Sequence, residues 1–552
     1  VITVGETRRV LPFFQTLPLT DLPLLYHQDH LFPYSSFDGT ESVPVPRDWR
    51  VLTLENEWVR VEVAPELGGR VHSFHDKRIR QELLFRNPVV RPVRIPPLQG
   101  FISGGIEFNF PITHSPTSIA AVGSSQGVTG DYGWIRVGER EVRTGMEWVV
   151  ELGLHASSPV LVQRTALRNP TRTDHPWSMW TIAAVRSTSG TEFIHPGRRV
   201  LVHDRRVTQT AWPGSEWNWD RNIKEMTALF WEPGSAAQFG TFHHELGFGL
   251  MHLADPGRLP GRKVWTYGHG RHRDWGRATT EGGESYAEIE SSPLPEWIGR
   301  PLLAAGREFC CEEFWVPVHS REACDRVEWP DFALPPLENP WLGWAHSPWQ
   351  LEWESFRVGE GPLPCSAVPT GLELEDTLKR ELARGNPAAA EPLAQWLAFR
   401  GRAREALDCV GEDPAPTARR LAGLILWKGL EDPRRALTFL RDGPPEDPVA
   451  VVELDTLLAE LGETSERAGL LSGAGEHRLL VERRADLALA QGRPELTLRL
   501  LEGTRWPREL QRYVRTDLWR KARERLGRES GEVPESLNED SLARHAAHWP
   551  AL

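Results

Sequence analysis

A change of texture near residue 370 constrains this chain more than any other feature. Before it, apolar residues come in short, strand-length runs separated by turn residues. After it, Ala, Leu, Arg and Glu recur at helical spacing. One core cannot serve both patterns, and 552 residues exceed the roughly 250–300 at which single cores stop growing. The expected fold class is multidomain β + α. Residues 1–330 form a large antiparallel β-sandwich and residues 331–369 a linker rich in Pro and Trp that packs on the domains. Residues 370–552 form α-helical repeats.

The β reading rests on Val51–Leu54, Trp58–Val63, Val71–Phe74, Trp134–Val137 followed by Glu141–Thr144, Trp148–Leu154, Val160–Leu167 and Trp180–Val185. It continues with Ala228–Trp231, Gly247–Leu253, Lys263–Tyr267 and Ser285–Glu290. Many strands without alternating helices favour an antiparallel double sheet. In the last part, Ala406-Leu407, Ala436-Leu437, Ala468-Gly469 and Thr497-Leu498 recur at intervals of 30, 32 and 29. Such spacing suits degenerate tetratricopeptide-type hairpins, which bury a core only by stacking.

Tryptophan is unusually frequent. Of 24, 19 lie before residue 360, so their role belongs mainly to the first part. An indole offers a broad apolar face and one N–H, which suits the C–H face of a sugar ring as well as a large core. The net charge of −12, without a basic tract, disfavours nucleic acid and membrane surfaces as partners. No apolar run reaches the ~18 residues of a membrane span. Five cysteines without a Cys-x-x-Cys argue against a disulfide framework or zinc ribbon. The first ten residues lack an apolar signal core, and a cytoplasmic location is expected. There is no Walker loop and no dinucleotide glycine motif, so no cofactor is expected. Gly123-Ser-Ser-Gln-Gly127 fits Gly-x-Ser-x-Gly but lacks the helix a nucleophile elbow needs; it reads as a polar loop.

Three segments carry a resemblance. They are Leu67-Gly-Gly-Arg-Val71 with Leu84-Phe-Arg-Asn-Pro88, Gly104-Gly-Ile-Glu-Phe-Asn-Phe-Pro111 with His114, and Trp265-Thr-Tyr-Gly268 with Trp275-Gly276 and Tyr286–Glu290. With His244 of Phe242-His-His-Glu-Leu-Gly247, they resemble an uncharacterised family of galactose-mutarotase-like domains fused to tetratricopeptide-like repeats. The resemblance implies a β-supersandwich with a sugar site on a concave face. It does not settle the reaction, since one fold hosts several chemistries.

Sugar chemistry calls for an acid and a base on opposite sides of an oxygen. Glu107 stands among Gly104, Gly105 and Asn109, and alternation puts Glu107 and Asn109 on one face. Arg70 is either its structural partner or part of a site. Glu288 and Glu290 share a face and repel unless a cation lies between. By order along the chain in related mutarotases, Glu288 is the expected base or nucleophile, and the resemblance selects His244 as the imidazole. Substrate contacts are expected from Arg70, Asn109, His114, Tyr267, His269, Trp275, Trp180 and Trp217, the last paired with Trp219 on one face if that stretch is a strand. His269, His272 and Asp274 form a polar loop that could clamp hydroxyls or, with His252, hold a metal; the spacing is nonspecific and no metal is expected. The leading expectation is a glycoside hydrolase using Glu107 and Glu288. A mutarotase or epimerase using His244 and Glu288, or a non-catalytic sugar-binding scaffold, are the alternatives. The partners expected are a sugar or oligosaccharide and, through the helical repeats, a protein or a second copy.

Overall fold

The computed structural model describes residues 1–540 except 21–24, 27–31, 96–99, 204–206, 214–215, 225, 235, 268–278, 281, 296–298, 338–339, 342–347, 365–367, 412–415, 444–445, 507–508, 511–513, 530, 532 and 538. Two antiparallel sheets dominate the first part. The larger has twelve strands. Across it run Thr3–Phe13, Val45–Glu55, Val59–Ala64, Arg70–Asp76, Ile106–Asn109, Trp180–Arg186, Tyr286–Ser292, Gly261–Thr266, Thr227–Trp231, Arg199–His203 and Val207–Ala211. Gln81–Glu82 pairs with Arg70–Asp76 off this path. The smaller sheet has eight strands. Their order is Thr191–Ile194, Gln238–His243, Phe248–Ala254, Glu308–Val318, Leu161–Arg168, Glu147–His155, Tyr132–Arg140 and Gly123–Thr129.

The main core lies between these sheets. Alternation along each strand decides what enters it. In Tyr286–Ser292, Ala287 and Ile289 join the core, as do Ala183 and Val185 of the neighbouring Trp180–Arg186. Trp148, Trp231 and Trp315 fill the same space. The opposite face of the large sheet is not solvent. Trp180, Ile182, Phe230, Trp265, Tyr267 and Tyr286 form a second apolar cluster there, with Phe85 stacked on Tyr286 at 4.9 Å. Strands buried on both faces usually read as nearly continuous apolar runs; Trp180–Arg186 and Thr227–Trp231 do, whereas Tyr286–Ser292 and Gly261–Thr266 interrupt theirs with Glu288, Glu290 and Lys263.

Three local expectations change. Gly123–Thr129 is the edge strand of the small sheet, not a loop. Edge position explains its polar composition, because one side meets no partner strand. Glu141–Thr144 is a turn, closed by Gly145 N–H donating to the Glu141 carbonyl. Trp217 lies in a short 3-10 turn, Glu216–Asn218, so the Trp217-Asn-Trp219 stretch is not a strand.

The helical part stacks four hairpins: Ala390–Phe399 with Ala403–Val410, Pro416–Leu424 with Pro433–Leu440, Pro448–Leu461 with Thr464–Gly473, and Arg478–Ala490 with Pro494–Glu502. Gly401, Gly462 and Gly492 make three of the turns with φ of 77°, 77° and 72°, a conformation that favours glycine. The recurrent Ala406, Ala436 and Thr497 sit fully buried on the second helices. Among the described residues no helix is long and apolar enough to cross a membrane.

The segment between the two parts packs on both. Trp341 lies over Arg168 at 4.5 Å, and Arg164 donates to the Pro335 carbonyl. Trp353, on the helix Pro348–Val358, joins the helical core. A second tie comes from the N-terminal end. Phe32 belongs to the helical core, Tyr26 packs against it, and Leu19 meets Val449. Thr20 donates to Asp447 at 2.6 Å, and the hydroxyl accepts from Arg420 at 2.8 Å.

Candidate functional site

The outer face of the large sheet brings together residues far apart in sequence. Strand register fixes the arrangement. Glu107 is opposite Ile182, Ile182 opposite Glu290, Glu290 opposite Lys263, and Lys263 opposite Phe230, a row across five strands. Asn109 faces Trp180 in an adjacent row. Glu288 faces Ala184 and Trp265, two residues along from Glu290. Neighbouring strands lie about 4.8 Å apart, so the Glu107 and Glu290 backbones are about 10 Å apart.

Glycine shapes the approach to Glu107. Gly104 and Gly105 have φ of 95° and 74°, and a Cβ on Gly105 would meet the Val71 carbonyl oxygen at 2.1 Å. The turn therefore lies tight on the Arg70–Asp76 strand. Arg70 is buried beneath it. Its guanidinium donates to the Ile102 carbonyl at 2.5 Å, Gly104 at 2.9 Å, Leu67 at 3.2 Å and Ser118 at 3.2 Å. It also lies 4.0 Å from the Glu107 carboxylate. Arg70 thus anchors the loop and supplies charge beside Glu107.

His114 follows the cis Phe110–Pro111 bond and has a φ of 51°. Its backbone N–H donates to the Asn109 side-chain oxygen, its ring lies tilted against Phe101 with centres 4.9 Å apart, and its Nδ1 lies 3.7 Å from Glu107 Oε2. Burial would raise the Glu107 carboxyl pKa. Contacts with His114, Arg70 and Ser118 outweigh it and hold the group below the ordinary carboxylate value. Glu290 goes the other way. Burial raises it despite the Lys263 ammonium 2.6 Å away. Lys263 in turn sits 5.2 Å from the Trp180 ring centre, 5.5 Å from Trp265 and 5.7 Å from Phe230, a spacing that favours a cation over the ring faces. Two carboxylates displaced in opposite directions are the usual mark of an acid and a base at one site.

Several buried polar atoms of this face make no hydrogen bond among the described residues: Glu107 Oε1, Asn109 Nδ2, His114 Nδ1, Trp180 Nε1 and His72 Nε2. Buried polar groups are nearly always paired, so these atoms on one sheet face are available to a polar ligand; the same condition occurs inside the sandwich, at Trp148 Nε1, Trp231 Nε1 and His252 Nδ1. His72 is driven down to about 4 by burial and the nearby Arg86, which makes it a neutral imidazole at physiological pH.

The expected residues divide as follows. Glu107, Arg70, Asn109, His114, Trp180, Glu288 and Tyr267 share this face. Tyr267 is linked to Tyr286 through their hydroxyls at 3.0 Å. His269 and Trp275 lie outside the described residues, as do His272 and Asp274. His244 is elsewhere. It follows the Gln238–His243 strand of the small sheet, where it donates to Glu192 at 2.8 Å beside Arg321 and stacks near Trp219 at 4.9 Å. The His–His pair does alternate, but its inward member, His243, enters the small sheet's own packing and bonds Thr191 at 2.9 Å. Trp217 packs at the margin of the main core. His252 faces the sandwich interior, donating to Glu313 at 2.8 Å, and so turns away from the outer face. Glu290 and Lys263 are the members the sequence reading passed over. Parity along Tyr286–Ser292 made Glu290 as eligible as Glu288, and a lone Lys263 alternating with Trp265 was the available signal.

Residues 27–300 match the model of a family described as a domain of unknown function, DUF5107. A second model, described as a C-terminal domain, matches residues 367–522. The whole chain is similar to a TPR-domain containing protein from Parabacteroides distasonis, with 28% identity, 98% of each chain covered and a TM-score of 0.87. Galactose mutarotase-like proteins from Lactobacillus casei and Clostridium acetobutylicum are also similar. Each is 11% identical over 49% of this chain, covering 100% and 96% of theirs, with TM-scores of 0.36 and 0.37.

Proposed function

We propose that the outer face of the large sheet binds a sugar and that the protein is a carbohydrate-active enzyme moving protons on a single ring. The observation that carries this reading is the group of buried donors and acceptors around Glu107 that have no partner among the described residues, beside the broad faces of Trp180 and Trp265. A polyol offers hydroxyls to the first and C–H faces to the second.

In this reading Glu107, held ionised, takes the proton of an anomeric hydroxyl. The Glu290–Lys263 pair is the proton-bearing side and donates to the ring oxygen. The C1–ring oxygen bond breaks as C1=O forms, and closure on the other face reverses both transfers. The reaction class is aldose 1-epimerisation, with His114 orienting Glu107. Hydrolysis is the second reading. It is favoured by the placement of Glu107 and Glu290 in one row with a single strand between them, since inverting glycosidases hold their carboxyls roughly 6.5–9.5 Å apart.

NMR saturation transfer between anomers, with free aldoses and a set of disaccharides, separates the two. Exchange of anomers without cleavage is expected, slowed about 10²–10⁴-fold in Glu107→Gln. A wild type that binds sugar but neither exchanges anomers nor cleaves glycosides removes the enzymatic reading and leaves a sugar-binding protein. The division at 1–330, 331–369 and 370–552 is part of the same proposal, with the chemistry in the first part and partner contacts in the last.

A further inference from the structure

The helical part reaches the candidate site through the N-terminal segment. Asp38 lies on the strand Phe37–Thr40, which pairs with Thr16–Pro18. Its carboxylate accepts from His477 Nε2 at 3.0 Å and from Arg478, and its carbonyl accepts a second bond from Arg478 at 2.6 Å. His477 Nδ1 accepts from Leu479 N–H at the start of the helix Arg478–Ala490, so Nε2 carries the proton given to Asp38. Burial raises the Asp38 carboxyl, but His477, Arg478 and Arg94 outweigh it and keep it ionised.

The next residue inward is Phe37, buried, with its ring against Gly100. A Cβ on Gly100 would stand 3.2 Å from that ring and 2.4 Å from the Val93 carbonyl oxygen, so only glycine fits between them. Gly100 begins the loop that carries the site. Its N–H donates to the His114 carbonyl at 3.4 Å, and its carbonyl accepts from Ser118 at 3.1 Å. Phe101 lies against the His114 ring, and His114 flanks Glu107. Contact is therefore continuous from helix to carboxylate.

We propose that Asp38 is a positioning residue: clamped by His477 and Arg478, it presses Phe37 on Gly100 and thereby fixes the loop that sets His114 against Glu107. The helical part is then a component of the site rather than an appendage. The proposal rests on the reading of the Glu107 cluster as the functional site. Its first test uses no sugar, so its failure is distinguishable from failure of that reading.

Hydrogen exchange of the full chain is measured for wild type, Asp38→Asn and His477→Gln. Amides between residues 100 and 118 are expected to exchange at least about tenfold faster in Asp38→Asn, with Trp148–Leu154 in the sandwich unchanged. Asp38→Glu is expected to restore most of the protection. Faster exchange confined to residues 16–40, with 100–118 as in wild type, overturns the proposal. If Asp38→Asn loosens the whole sandwich, the milder His477→Gln, which keeps the Arg478 contact, decides. Acceleration at 100–118 supports the coupling, and its absence refutes it. Where a sugar is bound by wild type, a rise in its Kd in step with the exchange is the second expected result.

Discussion

Two buried carboxylates on opposite sides of one sheet invite comparison. Glu313 points into the sandwich from the small sheet. Its oxygens accept from Gln163 at 2.6 Å, His252 at 2.8 Å, Thr181 at 3.0 Å and Ser291. Thr181 and Ser291 belong to the large sheet, so Glu313 ties the two layers. Glu107, on the other face, has one oxygen without a hydrogen bond among the described residues, and neighbours in the same condition. Both groups are equally dry, and both are held below the ordinary carboxylate value. The difference lies in satisfaction. Around Glu313 the carboxylate itself is fully engaged, although His252 Nδ1 beside it has no partner among the described residues; a carboxylate with an open oxygen, as in Glu107, retains the capacity to bind.

The contrast is most sharply tested by removing Glu313. Glu313→Ala strands four donors in a dry interior and is expected to cost about 3–5 kcal/mol in urea unfolding. A loss below about 1 kcal/mol would break the contrast. The indoles give a matched pair. Trp315 Nε1 donates to Gln163 at 3.0 Å, so Trp315→Phe is expected to cost roughly 1–3 kcal/mol through the stranded acceptor. Trp180 Nε1 has no partner among the described residues. Trp180→Phe is expected to change stability by less than about 1 kcal/mol while weakening a bound sugar by about tenfold, the worth of one hydrogen bond.

The pH dependence carries opposite signs for Glu313 and Glu290. Glu313 is depressed by its bonds with His252, Ser291 and Thr181, which outweigh burial. Its contribution is present above the unfolded value near 4.5 and is lost as pH falls through the lower folded value. Glu290 is raised by burial. Between the unfolded and folded values the native state then holds the extra proton, so stability falls as pH rises through that window. Urea melts from pH 4 upward should show this decline in wild type and not in Glu290→Gln, the smallest of the expected effects. A wild type whose stability rises throughout the same window would place the proton on the wrong group.

The double sheet and the helical stack were legible because each leaves a periodic trace. Face assignment along a strand was legible too: Glu107 with Asn109, and Glu288 with Glu290, fall as alternation requires. Which distant strands become neighbours was not, because register is set by packing between residues a hundred or more apart. The pairing of Glu107 with the Glu290–Lys263 row is a product of that register. His244, selected by the resemblance, lies beside the small sheet, at Glu192. Alternation says that one of two histidines turns inward, but not which of two interiors it enters. Trp217 misled through the 3-10 turn, since Trp217-Asn-Trp219 has strand-like alternation without a strand's partners.

The grip of the Arg478–Ala490 helix on Asp38 spans 440 positions of the chain. During synthesis at roughly 5–20 residues per second, Asp38 would leave the ribosome about 20–90 s before the arginine that holds it. The neighbouring strands Thr3–Phe13 and Val45–Glu55 can pair at once, while the stretch between them waits. Nascent chains would therefore carry Leu19, Tyr26 and Phe32 uncovered until the helical part arrives, and a chaperone that recognises short apolar segments would find its first target there.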